Sequence, residues 1–378
     1  MTQICTRCIY DETIPRITFD DKGVCNYCRL HEQMDREYPT GPEGRKILEE
    51  MAANMRRDGK NKKYDVVIGV SGGCDSSYML HLARELGLRP LAAHFDNTWN
   101  STIAVENIKT MTEKLDVDLF THVVDNKEYT DLFRSFFLAS VPEIDTPSDI
   151  SLATTHYLAA EKYGIKYIWE GHSFRTEGIT PPGWVYMDAK YVQTISRQFG
   201  SGKIKTLPNL WMHRWFKWMI FDQIKKLRPL YYLDYNKEEV KQFLRDTYGW
   251  QWYGGHHMEN RTAYFTNNYY LPEKFGINLR VCEYSALVRS HQMDRDTALA
   301  KLNDPRPMDP EIIEEIKKRL GFSDRKFDDI MAAPRKSYRD YKTYKQRFER
   351  MKPFFWLMYK MDLVPKSFYV KYTARDNN

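Results

Sequence analysis

The chain is 378 residues long and 14% aromatic, with 57 basic against 51 acidic residues for a net charge of +6. That length supports two or three domains with a substantial core, and the aromatic content excludes a disordered chain. So mild a charge fits a nucleotide, sugar-phosphate or RNA partner, or no anionic partner at all, and does not decide between them; with no strongly basic face in the totals, no nucleic-acid partner is expected. The first residues, MTQICTRCIY, contain no apolar stretch of signal-peptide length, and no run of eighteen apolar residues follows. No bilayer-spanning helix is therefore expected, and the cytoplasm is the expected compartment.

Four of the six cysteines come first, as Cys5, Cys8, Cys25 and Cys28. The spacing C-x2-C-x16-C-x2-C falls in the range of a four-thiolate zinc site, since each CxxC turn offers two sulfurs to one tetrahedral ion. A segment this short cannot bury a core without such a cross-link. Two disulfides or a redox pair are the less common uses of the pattern, and an iron–sulfur cluster is a further alternative. The expectation is a structural Zn2+ ribbon over residues 1–35. Cys74 and Cys282, each alone, read as small core residues.

A short amphipathic helix and a basic linker lead to residue 65. From there two periods alternate: strand-like DVVIGV (65–70), RPLAAHFD (89–96), DLFTHVVD (118–125) and IKYIWEG (165–171) are interleaved with helical stretches over 75–88, 103–117, 127–139 and 148–164. That alternation implies βαβ units and a doubly wound parallel sheet, spanning 36–250 as a second domain. Ligands of such sheets bind beyond the carboxyl ends of the strands. The clusters SGGCDSS, HFDNTWNS and EGHSFRTEG all fall there. Residues 190–209 read as a mobile basic loop over that site; their GSGK lacks the first glycine of a Walker sequence. Asn236 and Glu239 form a cap pair that starts a helix. Residues 211–221 and 351–361 are short apolar stretches broken by charge, read as buried or inter-domain helices, with a membrane-surface or partner contact as the alternative. Residues 251–378 are expected to form a mostly helical substrate or partner region.

Within SGGCDSS, Gly72 and Gly73 let backbone amides face outward, the helix beginning near Asp75 adds its dipole, and Ser71, Ser76 and Ser77 add hydroxyls. This is a grip for pyrophosphate without a lysine for a transferable γ-phosphate. Asp75, an anion beside an anion site, calls for a bridging Mg2+. The stretch resembles the PP-loop ATP pyrophosphatase superfamily (adenine nucleotide alpha hydrolase-like), whose members adenylate an oxygen and release pyrophosphate. The resemblance implies that ATP binds at Ser71, Gly72, Gly73, Asp75, Ser76 and Ser77, that His94, Phe95 and Asp96 border the adenosine, and that Gly171 and His172 adjoin the activated intermediate.

Over residues 3–305 the chain further resembles the N-acetyl sugar amidotransferases of bacterial surface-polysaccharide, O-antigen and nonulosonic-acid pathways. The resemblance rests on CTRCIYDETIPRITFDDKGVCNYC, VSGGCDSSYML, RPLYYLDYNKEEV, GWQWYGGHHMENRTAYFTNNYYLPEKFGIN and SALVRSHQMDRDTAL. It implies conversion of an acetamido group on a nucleotide-linked sugar to an acetamidino group. Ammonia would come from a glutaminase and a cyclase-like channel protein. Asp75, His172, His256 and His257 are the expected catalytic residues, and Glu259, Arg280, Arg289 and His291 the expected substrate ligands. The pair His256-His257 stands where the family pattern has Lys-His, which bears on the sugar more than on the reaction. A PP-loop tRNA-thiolating enzyme is the alternative, disfavoured because only two cysteines remain for sulfur chemistry.

Overall fold

Two helices, α1 (Asn26–Glu37) and α2 (Gly41–Asp58), precede a five-stranded sheet in the computed structural model, which describes residues 2–255, 258–361, 363–364 and 366–374. The strands are β1 (Val66–Gly69), β2 (Pro90–Asp96), β3 (Asp118–Val123), β4 (Tyr167–Trp169) and β5 (Lys225–Leu227). All pairings are parallel, in the order β3-β2-β1-β4-β5. Val66, Val67 and Ile68 make β1 the buried centre, as a β-branched run predicts for a strand covered on both faces. β3 is an edge, with alternate residues exposed.

The crossovers are α3 (Cys74–Glu85), α4 (Thr102–Leu115), α5 (Asn126–Leu138) and α6 (Thr146–Tyr163). Local chemistry sets their ends. Ser101 accepts from the Ala104 amide to start α4, Asp125 accepts from the Glu128 amide to start α5, and Gly164 closes α6 at φ +66°. The chain adds β2 and β3 on one side of β1, then crosses to add β4 and β5 on the other. The carboxyl ends of β1 and β4 therefore form a topological switch point, where an open α/β sheet leaves a crevice.

Residues 190–209 depart from the expectation of a mobile loop. They include α7 (Ala189–Phe199), capped by Asp188 and packed on α5 through buried Tyr191, Val192 and Ile195. The glycine-containing turn after it is filled from within. Asp131 accepts from the amides of Ser201 and Gly202, and Glu128 from those of Lys205, Thr206 and Leu207. Carboxylates of α5 thus occupy the amides that a phosphate would need.

Next come α8 (Met212–Phe216), a wider π-helical turn over Lys217–Phe221, and α9 (Lys237–Tyr248), which starts as predicted: Asn236 accepts from the Glu238 and Glu239 amides and donates to the Glu239 carboxylate. The remainder is helical: α10 (Arg261–Phe265), a π-helical stretch Thr266–Phe275, then α11 (Arg280–Arg289), α12 (Arg295–Asn303), α13 (Pro310–Leu320), α14 (Asp324–Ala332), α15 (Lys345–Arg350), α16 (Lys352–Lys360) and α17 (Lys366–Thr373). One apolar cluster joins Val67 and Leu91 of the sheet to Phe137, Trp215, Ile316, Phe355 and Tyr372, so the C-terminal helices complete the core beneath the sheet. A separate cluster packs Tyr10, Tyr27 and the four N-terminal cysteines against Val281, Val288 and Ala298. Among the described residues no helix is long and apolar enough to cross a membrane.

Candidate active site and metal centre

The sulfurs of Cys5, Cys8, Cys25 and Cys28 all lie within 4.8 Å of one another and are buried. Three of their separations are 3.8, 3.8 and 3.6 Å. Four sulfurs at ~2.3 Å from a central zinc would be about 3.8 Å apart, so the set fits a tetrahedral ion. Four thiolates would leave no open position, so a metal held there would contribute a cross-link. Arg289 completes the arrangement from α11. Its Nη2 lies 3.1 Å from Cys8 Sγ, its Nε 3.3 Å from Cys28 Sγ, and its plane covers the Tyr10 ring. Arg295 donates to the carbonyls of Cys5 and Cys8. Replacing Cys8 by serine is expected to lower bound zinc from one equivalent and to depress the melting temperature by on the order of 5 °C. Elemental analysis and a thermal scan check this; unchanged metal content with four reactive thiols would refute it.

The glycine turn lies at the switch point. Gly72 has φ +81°, and a Cβ there would come 2.2 Å from the Ala104 carbonyl oxygen, so only glycine fits. Its own carbonyl accepts from Asn107 Nδ2 at 3.1 Å and Trp250 Nε1 at 3.0 Å, which fixes the turn from behind. Gly73 is the N-cap of α3 and brings no side chain to the first-turn amides. Ser71 Oγ accepts from the Gly73 amide and donates to Glu259 at 3.5 Å; Ser76 Oγ accepts from the Ser71 amide and donates to the Gly73 carbonyl. Ser77 is buried, with its amide bonded to the same carbonyl. The mouth of the turn is framed by Tyr253 and Glu259, whose side chains would be 3.2 and 3.5 Å from a Cβ on Gly73.

Asp75 carries a partner from 162 residues downstream. Lys237 Nζ lies 2.9 Å from Oδ2, Tyr235 donates its hydroxyl to Oδ1, and Lys237 also reaches Glu177 at 3.6 Å. Burial would raise the Asp75 carboxyl, but the Lys237 ammonium and the Tyr235 hydrogen bond outweigh it and hold it below the usual carboxylate range. Burial would lower the Lys237 ammonium, yet Asp75 and Glu177 keep it well above its ordinary value. The pair is therefore ionised and contributes no net charge. A lysine from the start of α9 thus stands beside the glycine stretch. The expectation of Mg2+ on Asp75 changes accordingly: both carboxylate oxygens are engaged, and a metal there would have to displace Lys237.

The second strand-end motif faces the first. A Cβ on Gly171 would lie 3.5 Å from Asp75 and from the Ser76 amide, so β4 and the start of α3 are in contact. His172 has both ring nitrogens within hydrogen-bond distance of partners, Nδ1 at 3.0 Å from the Tyr231 hydroxyl and Nε2 at 3.1 Å from the Gly178 carbonyl. Burial, aided by the Arg228 charge, pushes it down to about 4 and keeps it neutral. Beside it, half-buried Glu170 pairs with Lys226 at 2.7 Å and Arg228 at 3.0 Å.

Other expected site residues divide. His94 points from β2 to the turn, its Nδ1 2.9 Å from the Val70 carbonyl and its Nε2 3.3 Å from Asn100; Asp96 accepts from the Thr98 amide. Phe95, between them, turns to the opposite face and packs with Tyr129 in the core, because successive strand residues alternate. Glu259 reaches the turn. Arg280 instead ties α11 to the Leu302 and Asp304 carbonyls, and Arg289 spends its guanidinium on sulfur, so the expectation that they bind substrate anions is revised. His291 follows α11 as an exposed residue at φ +59°. His256 and His257 lie outside the described residues. Sequence reasoning missed Lys237, Tyr235, Tyr253, Asn107 and Trp250; the cap pair at Asn236 was the one signal that a helix N-terminus stood near two of them.

Residues 259–354 match the family described as "LPS biosynthesis protein WbpG-like, C-terminal domain". The chain has a WbpG-like C-terminal segment. That segment begins at Glu259, the residue that touches Ser71, and its first turn is stitched to the loop after β2: Ser101 donates to the Glu259 carbonyl and Arg261 to that of Trp99. The WbpG-like part thus enters the candidate site rather than standing apart from it. A search of curated proteins finds no match. Solved structures give weak likenesses: an NH3-dependent NAD synthetase from Campylobacter jejuni (14% identity, 78% of this chain and 98% of that one, TM-score 0.30), an NMN synthetase from Francisella tularensis (18%, 58% and 92%, 0.28), and a tRNA methyltransferase subunit from Methanocaldococcus jannaschii (13%, 47% and 74%, 0.28). The fold assignment rests on the strand order and register themselves.

Proposed function

We propose that the protein is an ATP-dependent N-acetyl sugar amidotransferase of bacterial surface-polysaccharide synthesis. The carrying observation is a cradle of α3 first-turn amides without a side-chain cap at the switch point, entered by a segment that matches an LPS biosynthesis family. The acetamido oxygen of a nucleotide-linked sugar attacks the α-phosphorus of ATP and pyrophosphate leaves, giving an O-adenylyl imidate. Ammonia adds to the imidate carbon, loses a proton, and AMP departs, leaving the acetamidino group. The residues at hand bind and orient: the α3 amides take the departing pyrophosphate, Lys237 balances Asp75, and neutral His172 is a fixed hydrogen-bonding wall. A glutaminase with a channel protein would supply the ammonia.

The thiolation alternative needs a reactive thiol. Burial pushes Cys74 up to about 12 and Cys282 up to about 11, which favours neither as a nucleophile. The test is incubation with ATP, ammonium and a panel of nucleotide-linked N-acetyl sugars labelled with 18O in the acetamido group. AMP carrying one 18O, together with pyrophosphate, is expected. ADP and phosphate as products, or unlabelled AMP, would overturn the proposal.

A further inference from the structure

The two apolar stretches broken by charge, 211–221 and 351–361, meet in the fold. The Phe216 ring packs edge-on against Phe354 at 5.7 Å and stacks on Phe355 at 6.2 Å, and Trp215 also stacks on Phe355 at 6.2 Å. Trp215, Trp218, Phe355 and Met358 enter the core. Other apolar residues of the two stretches do not. Phe221 is 80% exposed, Met361 59%, Leu357 51% and Trp356 49%, and Ile220 and Phe354 are also exposed. Among the described residues, six of the eleven exposed large hydrophobics fall in these two stretches, so the exposure is concentrated rather than scattered. Phe221 follows Phe216 by five residues, about one turn of the wider helix that carries it.

The charge around this face is mostly basic, although on the first stretch Lys217 is paired with Glu161 and with Asp222 at 2.7 Å. Residues 342–361 contain six Lys or Arg and one acid, Glu349, which is paired with Lys345 at 3.0 Å. Arg347, Arg350, Lys352 and Lys360 are exposed, and His213 and Lys217 are exposed on the other stretch. An apolar strip with aromatic residues and a cationic rim, on a helix of nine residues that cannot span, is the composition of a segment that lies in a bilayer interface. A second copy of the chain would bring the cationic rims together, which opposes self-association.

We propose that this face docks on the surface of an anionic lipid bilayer, with Phe221, Trp356, Leu357 and Met361 entering the headgroup region and the lysines and arginines meeting lipid phosphates. The inference does not depend on the reaction proposed above. The test is flotation of the full-length protein with phosphatidylcholine vesicles and with vesicles containing about one quarter phosphatidylglycerol. The protein should float with the anionic vesicles and stay behind with the neutral ones. Phe221→Gln with Trp356→Gln, and separately Lys352→Glu with Lys360→Glu, should each cut partitioning about tenfold, with melting temperatures unchanged because these side chains are exposed. Absence of flotation, or variants that float like the parent, would overturn the proposal. So would a dimer in sedimentation velocity that the Gln pair abolishes without any lipid requirement, or binding that appears only with an added acidic protein.

Discussion

Replacing Lys237 by methionine is expected to weaken ATP binding about a hundredfold, whereas Asp75→Asn leaves binding intact and both lose turnover by roughly 10²–10³. The asymmetry follows from charge. In the native pair, separated by 2.9 Å and largely buried, ammonium and carboxylate cancel. Without Lys237 a bare carboxylate stands at the N-terminus of α3, where the phosphates must dock. Without the Asp75 charge, the ammonium faces those phosphates instead. Removing one partner of a buried pair costs about 3–5 kcal/mol, so melting temperatures must be recorded beside the calorimetric titrations. Equal losses of ATP affinity in the two variants, at comparable stability, would show that the pair only holds the fold. Asp75→Ala is expected to abolish AMP and pyrophosphate release.

Gly72→Ala should destabilise the protein by about 3 kcal/mol, combining left-handed strain with an overpacked contact. The turn has nowhere to go: the incoming methyl would meet the backbone oxygen of Ala104, and the Gly72 carbonyl is clamped by Asn107 and Trp250. Gly73→Ala makes the control. There φ is −74°, and the nearest atoms belong to the side chains of Ser71 and Tyr253 at 3.1 and 3.2 Å, which can give slightly. Its cost should stay within about 1 kcal/mol while ATP affinity falls, because the methyl fills the cradle. Urea unfolding of both variants measures the contrast. A Gly72→Ala protein as stable as its parent would remove the steric account of the turn.

The sheet was legible because its signal is local. Val66 to Ile68 announce a strand, the crossover helices carry their apolar spacing, and α4 and α5 carry side-chain caps of their own. β5 was not legible: Lys-Lys-Leu has no strand signature, and it pairs because β4 offers an edge and Glu170 a partner for Lys226. The orientation of Phe95 was within reach, since period-two alternation already separates it from His94 and Asp96. Lys237 and Arg289 were not, for a shared reason. Each meets its partner through contacts between helices far apart in sequence, α3 with α9 and the cysteine segment with α11, and no spacing rule spans such distances. Their charges could be read, but not what they would balance.

The contact between Arg289 and the thiolates also orders events in time. It links residues 261 and 281 positions apart, the longer about three quarters of the 378-residue sequence, and such contacts form late. During synthesis these cysteines emerge before α11, and a tetrathiolate zinc centre would carry two negative charges without the Arg289 guanidinium that later meets them. The ribbon can capture its metal early, but it gains its counter-ion only once α11 has folded back. The N-terminus then works as a late clasp, closing over helices that did not exist when its own ligands left the ribosome.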